Sequence, residues 1–220
     1  MDLNLILAGV GGQGILSIAW VLDAAATAEG FRFKQAEVHG MAQRGGAVQS
    51  HLRLSRDPIW SDLIPDGAVD VVLSVEPLEA LRYVHALRPG GTVIASQNPY
   101  VNIPDYPDLE PLLDRIAALP DHVLIDAARL ARAAGNVRAE NMVLLGAAST
   151  LLPFAEATLL DQVAALFAAK GETLVRVNQD AFRFGKQMAA FYRVGLVEGI
   201  APAELRRRCA EQDPRTLAPA

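Results

Sequence analysis

Between Asn4 and Arg53 two glycine-rich turns each follow a stretch of strand-forming residues, and this pairing constrains the fold more than any other feature. The first turn, Gly9-Val10-Gly11-Gly12-Gln13-Gly14, follows the apolar run Leu3 to Ala8. A helical repeat then begins, with Ile15, Ile18, Ala19, Leu22 and Ala26 on one face and Gly30 as its C-cap. The second turn, His39-Gly40-Met41-Ala42-Gln43-Arg44-Gly45-Gly46, follows Phe31 to Val38. Read together, strand, helix and strand make a βαβ unit. In a parallel sheet both turns emerge at one carboxyl edge, where open α/β sheets bind ligands.

The segment Val48 to Leu54 alternates, with Gln49, His51 and Arg53 on one face and Val48, Leu52 and Leu54 on the other. It reads as a strand half open to solvent or to a partner. Further buried-type strands are expected at Asp70 to Val75, Thr92 to Ser96 and Val123 to Ile125. Pro89-Gly90-Gly91 is expected to be a turn, Leu78 to Leu87 a helix and Gln97 to Pro107 a long loop. From Asp108 onward helices dominate, including Glu172 to Gly195, which carries Phe182, Phe184, Phe191 and Tyr192. The expected architecture is α/β: a three-layer α/β/α arrangement around a mostly parallel, Rossmann-like sheet, with a helical C-terminal part. Residues 1–195 form the main domain and 196–220 a C-terminal helix and tail.

Composition narrows the function. A formal charge of −5 argues against a nucleic-acid backbone as main ligand. Cys209 is the only cysteine, so the chain can neither form an internal disulfide nor hold a cysteine-ligated iron–sulfur cluster. The apolar N-terminus lacks a positive leader and is broken by glycines, and nothing approaches the ~20 apolar residues of a membrane span. A cytoplasmic location follows by default.

Gly9, Gly11 and Gly14 fit G-x-G-x-x-G in a strand–turn–helix context, where backbone N–H groups can approach an anion. The same glycines also serve plain helix–strand packing. A nicotinamide reading needs an acid at the end of the second strand, and Glu37 is available. The surroundings of Glu37 suit that reading poorly, because His39, Gln43 and Arg44 crowd the next turn. Arg44 can present a bidentate fork to phosphate or carboxylate, and His39 can titrate near neutrality. Glu76, at the end of a strand on the same edge, either contacts a partner or caps the helix beginning at Pro77. No pair of carboxylates and no metal-ligand spacing stands out.

GVGGQGIL (Gly9 to Leu16) together with EVHGMAQRGGAVQSHLR (Glu37 to Arg53) resembles the gamma-type subunit of 2-oxoacid:ferredoxin oxidoreductases, above all the small (beta) subunit of the indolepyruvate enzymes. Leu63-Ile64-Pro65, DVVLSVEPLEALR from Asp70, Pro89-Gly90-Gly91 and Asn141 to Gly146 extend the similarity to about Gln187, and the tail has no clear counterpart. The resemblance implies oxidative decarboxylation of an aryl pyruvate with transfer of the acyl group to coenzyme A and reduction of ferredoxin. Thiamine diphosphate, Mg and [4Fe-4S] clusters are then expected on a large (alpha) subunit, with no cofactor bound by this chain alone. The chain would complete a hetero-oligomer, be inactive in isolation, and contact neither nucleic acid nor membrane.

On this reading no residue is assigned a catalytic role. Gly11, Gly12, Gln13, Gly14, His39, Gly40, Met41, Gln43, Arg44, Gly45 and Gly46 form a cradle for a coenzyme A phosphate or for an acidic group of the partner, with Glu37 and Glu76 as secondary candidates. Two alternatives stay open: a freestanding NAD(P)-dependent oxidoreductase, for which no Y-x-x-x-K arrangement is found, and a purely structural partner subunit.

Overall fold

The computed structural model describes residues 2–39 and 45–217, with His39 described in its backbone only. The elements run β1 (Leu3–Val10), α1 (Ile15–Ala28), β2 (Arg32–His39), β3 (Ala47–Ser55), β4 (Val69–Ser74), α2 (Pro77–Arg82), β5 (Leu87–Ser96), α3 (Leu109–Ala117), β6 (His122–Ile125), α4 (Ala127–Ala134), α5 (Glu140–Ala148), α6 (Glu156–Phe167), α7 (Glu172–Val197) and α8 (Pro202–Glu211). The six strands form one sheet in the order β2-β3-β1-β4-β5-β6. Pairs β1/β4, β4/β5 and β5/β6 are parallel, whereas β3 is antiparallel to both β1 and β2.

This order corrects the expected βαβ unit. β2 does run in the direction of β1, but β3 lies between them, so the two parallel strands never touch. The reason is legible in β3: its alternating pattern suits a strand that returns as a hairpin from β2 and packs only one face on the core. Val48, Ser50, Leu52 and Leu54 are buried, while Gln49, His51 and Arg53 are half-buried. That second face is covered by the chain itself. Arg53 donates to Asn4 Oδ1 (3.1 Å) and to the carbonyls of Ser61 (3.1 Å) and Leu63 (3.3 Å). His51 Nδ1 accepts from the Ile64 N–H at 3.2 Å, a bond only the neutral imidazole can make; burial lowers its pKa, against the pull of Asp62 and Asp66.

Central strands β1 and β4 are buried along most of their length, as expected for continuous apolar runs. Right-handed crossovers leave the sheet centre in opposite directions after β1 and after β4, which places α1 and α2 on opposite faces. Two local expectations are revised. Pro89-Gly90-Gly91 lies inside β5 rather than in a turn before it, and α2 ends at Arg82, followed by a 3₁₀ turn at Val84–Ala86. The aromatic residues of α7 are core: Phe182 and Tyr192 are fully buried, and Phe184 and Phe191 pack against the core in part.

The helical half is locked by a close crossing of α5 and α7. A Cβ on Gly146 would lie 1.9 Å from the Phe182 carbonyl oxygen, and one on Gly185 1.8 Å from that of Val143. Backbone cannot yield as a flexible side chain does, so alanine at either position must push the helices apart. Gly146→Ala and Gly185→Ala are each expected to cost about 3 kcal/mol and roughly 10 °C in Tm by calorimetry.

A second sensitive point lies on α1. Asp23 Oδ1 is buried and accepts no hydrogen bond among the described residues, and burial, helped by Glu37, pushes its carboxyl up to about 7. The unfolded chain releases this proton near pH 4 and the folded chain only near 7, so stability falls as pH rises through that window. Asp23→Asn should therefore raise the free energy of urea unfolding at pH 8 by about 1–2 kcal/mol, after allowance for solvent screening, and leave it unchanged at pH 4.

Candidate functional site

The two glycine turns do meet. Gly11 N–H donates to the Gly46 carbonyl at 2.8 Å, and Gly45 N–H donates to the Gly11 carbonyl at 3.3 Å. Both sit on the carboxyl edge because β3 starts beside the end of β1, where Val10 pairs with Ala47. Gly14 caps α1 with φ +80°, a left-handed conformation that favours glycine, and Gly12 has φ +104°. A Cβ on Gly14 would also fall 2.5 Å from Asn141 Nδ2.

Gln13 turns inward. Its Oε1 accepts from the Val10 N–H at 2.8 Å and its Nε2 donates to the Val75 carbonyl at 3.3 Å. The side chain thus bridges the ends of β1 and β4 at the point where the crossovers diverge, and its amide is spent on the frame rather than on a ligand. Asn141, 5% exposed at the start of α5, donates Nδ2 to the Gly14 carbonyl at 3.1 Å and fixes the turn from the other side. An Asn at the head of the otherwise apolar run Met142 to Ala148 was the available signal, since a buried amide needs a partner.

An open groove of about 790 Å³ lies over this turn, at the switch point between β1 and β4 where doubly wound sheets bind ligands. Gly12, Gln13, Gly14 and Ser17 form one wall, Val75 and Asn98 to Tyr100 another, and α4, α5, α7 and the turns at Asn136 and Lys170 close the rest. Three cations line it, Arg132, Arg138 and Lys170, each exposed. Glu140 lies among them; burial raises its carboxyl pKa while the Arg132 guanidinium lowers it. Asn98 stiffens the floor: its Oδ1 accepts from Ala128 N–H (2.9 Å) and its Nδ2 donates to Asp126, which caps α4. Free N–H groups at the first turn of α1 and three guanidinium or ammonium groups suit an extended anionic ligand. No local motif marks these cations, which come from segments more than a hundred residues beyond the turn.

The predicted site residues separate into four groups. Gly12, Gln13 and Gly14 line the groove, while Gly11, Gly45 and Gly46 build the contact between the turns. Gly40, Met41, Gln43, Arg44 and the side chain of His39 lie outside the described residues. Glu37 and Glu76 are elsewhere. Glu37 lies on β2, two strand spacings or about 10 Å from β1, instead of the single spacing at which a dinucleotide fold places its ribose acid. Glu76 is 1% exposed and caps α2, accepting from Glu79 N–H at 2.8 Å. Its other oxygen accepts from Tyr106 Oη and from the Tyr100 N–H (3.4 Å), which ties down the loop after β5. Asn102 on that loop donates to the Gly45 carbonyl at 2.7 Å, so the loop also braces the second turn.

The donor set of this chain does not fit an iron–sulfur cluster: its one thiol, Cys209, is buried and pushed up to about 11 by that burial. Among the described residues no three His, Cys, Asp or Glu side chains converge on a point where a metal could sit. No helix among them is long and apolar enough to cross a membrane.

Comparison with known proteins follows the same lines. A sequence model of the family described as Pyruvate ferredoxin/flavodoxin oxidoreductase matches residues 4–188. Indolepyruvate oxidoreductase subunit IorB of Thermococcus kodakarensis is 35% identical over 198 residues, 86% of this chain and 96% of that protein. The IorB subunit of Pyrococcus horikoshii is 40% identical over 155 residues, 66% of this chain and 76% of that protein. Among solved structures, 2-oxoglutarate:ferredoxin oxidoreductase from Magnetococcus marinus, with 2-oxoglutarate, coenzyme A and succinyl-CoA bound, matches with a TM-score of 0.69 and 24% identity over 86% of this chain and 31% of that one. The keto/oxoacid ferredoxin oxidoreductase gamma subunit from Geobacter sulfurreducens matches with a TM-score of 0.66 and 20% identity, over 86% and 97% of the two chains. At these identities the structural matches establish the fold.

Gln13→Ala leaves the Val10 N–H and the Val75 carbonyl without their side-chain partner. A loss of about 1–2 kcal/mol in urea unfolding is expected.

Proposed function

The chain belongs to the pyruvate ferredoxin/flavodoxin oxidoreductase family, and from that premise we propose that it is the small subunit of an indolepyruvate:ferredoxin oxidoreductase (EC 1.2.7.8). Enzymes of this family are multi-subunit or multidomain oxidoreductases that use thiamine diphosphate and iron–sulfur clusters. In the proposed reaction an aryl 2-oxoacid loses CO₂, its acyl group is joined to the sulfur of coenzyme A, and the two electrons released pass to two ferredoxins, with one proton set free. The relatives named indolepyruvate oxidoreductase subunit IorB support the substrate class.

Thiamine diphosphate, Mg and the clusters belong on this reading to the large subunit, consistent with a chain whose only thiol is buried. The domain spanning 1–195 presents its carboxyl edge to that subunit, and the 196–220 helix and tail pack on that domain through the buried Leu205 and Cys209.

The observation that carries the reading is the cation-lined groove over the Gly12–Gly14 turn. Coenzyme A is long and polyanionic, and such a ligand is held by backbone N–H groups at a helix start and by flanking guanidinium groups. The chain's own work is then binding and orientation: Gln13 and Asn141 hold the turn in shape, while Arg132, Arg138 and Lys170 supply charge. A nicotinamide function is disfavoured by the position of Glu37 on β2, which is separated from β1 by β3.

In the assembled complex, Arg132→Ala combined with Lys170→Ala should raise KM for coenzyme A about tenfold, leave KM for the 2-oxoacid unchanged and leave the subunits associated in gel filtration. Arg44→Ala carries the same expectation for the second turn. Unaltered coenzyme A kinetics in both variants would remove the ligand-binding role and leave the edge as an interface alone.

A further inference from the structure

We propose that Glu140 couples the filling of the groove by an anionic ligand to the uptake of one proton from solvent, its carboxyl becoming a neutral hydrogen-bond donor to that ligand. The inference deepens the reading of the groove as the seat of a polyanion and rests on it. Glu140 is the first residue of α5 and, among the described residues, the only acidic side chain that lines the groove. Arg132, Arg138 and Lys170 line it too. A carboxylate in that place repels the ligand that the cations attract, unless a neighbouring cation or a proton neutralises it.

The neighbours do not neutralise it by contact. Among the described residues the Glu140 carboxylate makes no hydrogen bond and no ion pair, and none of the three cations is ion-paired. Lys170 lies instead over the ring of Phe167, 5.3 Å from its centroid. A carboxylate in the first turn of a helix is favoured by the backbone dipole, and any exposed position at the helix start meets that need. Glu140 is half-buried and faces the ligand space.

Burial already raises the Glu140 pKa, with Arg132 pulling it down and Asp126 pushing it up. The other charged or titratable side chains lining the groove are Arg138 on the preceding turn, Lys170 before α7 and the Tyr100 phenol on the loop after β5; those from α1 and α7 are neutral. A polyanion laid over Gly12 to Gly14 removes more water from Glu140 and adds like charge, and both effects favour the protonated carboxyl. The pKa in the complex therefore lies above that of the free state, and affinity falls as pH rises from the lower value to the higher. Below that window the carboxyl is neutral with or without ligand. Above it both states keep the charge, and binding bears the full repulsion.

Isothermal titration of the assembled complex with coenzyme A, in buffers of different ionisation enthalpy and across about pH 5 to 8, tests the coupling. Coenzyme A titrates on its own phosphate, so the quantity read is the difference between the wild type and Glu140→Gln, whose amide has no proton to gain. The wild type should take up more protons than the variant, the excess approaching about one inside the window, and the variant should bind about tenfold more tightly at pH 8. A role confined to the helix dipole would change stability and leave the proton counts equal. Equal counts with coenzyme A bound overturn the proposal. So does a loss of affinity in Glu140→Gln at every pH, the result expected if the carboxylate accepts from a donor on the ligand. No binding of coenzyme A by the wild type removes the groove reading itself, and this inference with it.

Discussion

Because β3 runs antiparallel between β1 and β2, the chain comes back to the carboxyl edge one strand spacing from where it first left. The hydrogen bonds that join Gly11 to Gly45 and Gly46 follow from that single reversal. A conventional βαβ unit would have set the second turn beside the first by strand pairing, with β2 as the neighbour of β1. Here the second turn is the hairpin linking β2 to β3, and it reaches the first through the start of β3. The same reversal carries Glu37 away from the groove and leaves β2 as the outermost strand.

Binding capacity at the edge is divided between near and distant parts of the chain. The glycine turn supplies backbone donors but little side-chain chemistry, since Gln13 is consumed by Val10 and Val75. Charge arrives from α4, from the 136–138 turn and from Lys170, all of which belong to the helical half. The turn is therefore held in a fixed shape, and the charge beside it is set elsewhere. Asn141 is the physical link between the two, through one hydrogen bond to the Gly14 carbonyl.

Much of the architecture was legible because periodicity and punctuation agree. The βα turn and the buried central strands follow from apolar spacing and from Gly and Pro positions. Strand order was not legible, because β3's alternation says that one face is buried and nothing about which neighbours it takes. The same limit concealed Arg132, Arg138 and Lys170, whose convergence depends on how α4, α5 and α7 pack. Glu76 shows the opposite case. A carboxylate directly before Pro77 reads as a helix cap, and capping is what it does, with Tyr106 and the Tyr100 N–H on its second oxygen. Gly146 and Gly185 carry no local signature at all, since the need for a missing side chain lies on the opposite helix.

Those two glycines have a mechanical consequence. With carbonyl oxygens seated where methyl groups would be, α5 and α7 cannot slide along each other without a steric collision on every side of the contact. Any adjustment of the groove's far wall must then be a tilt of the joined pair as one lever, pivoting where Asn141 grips the turn.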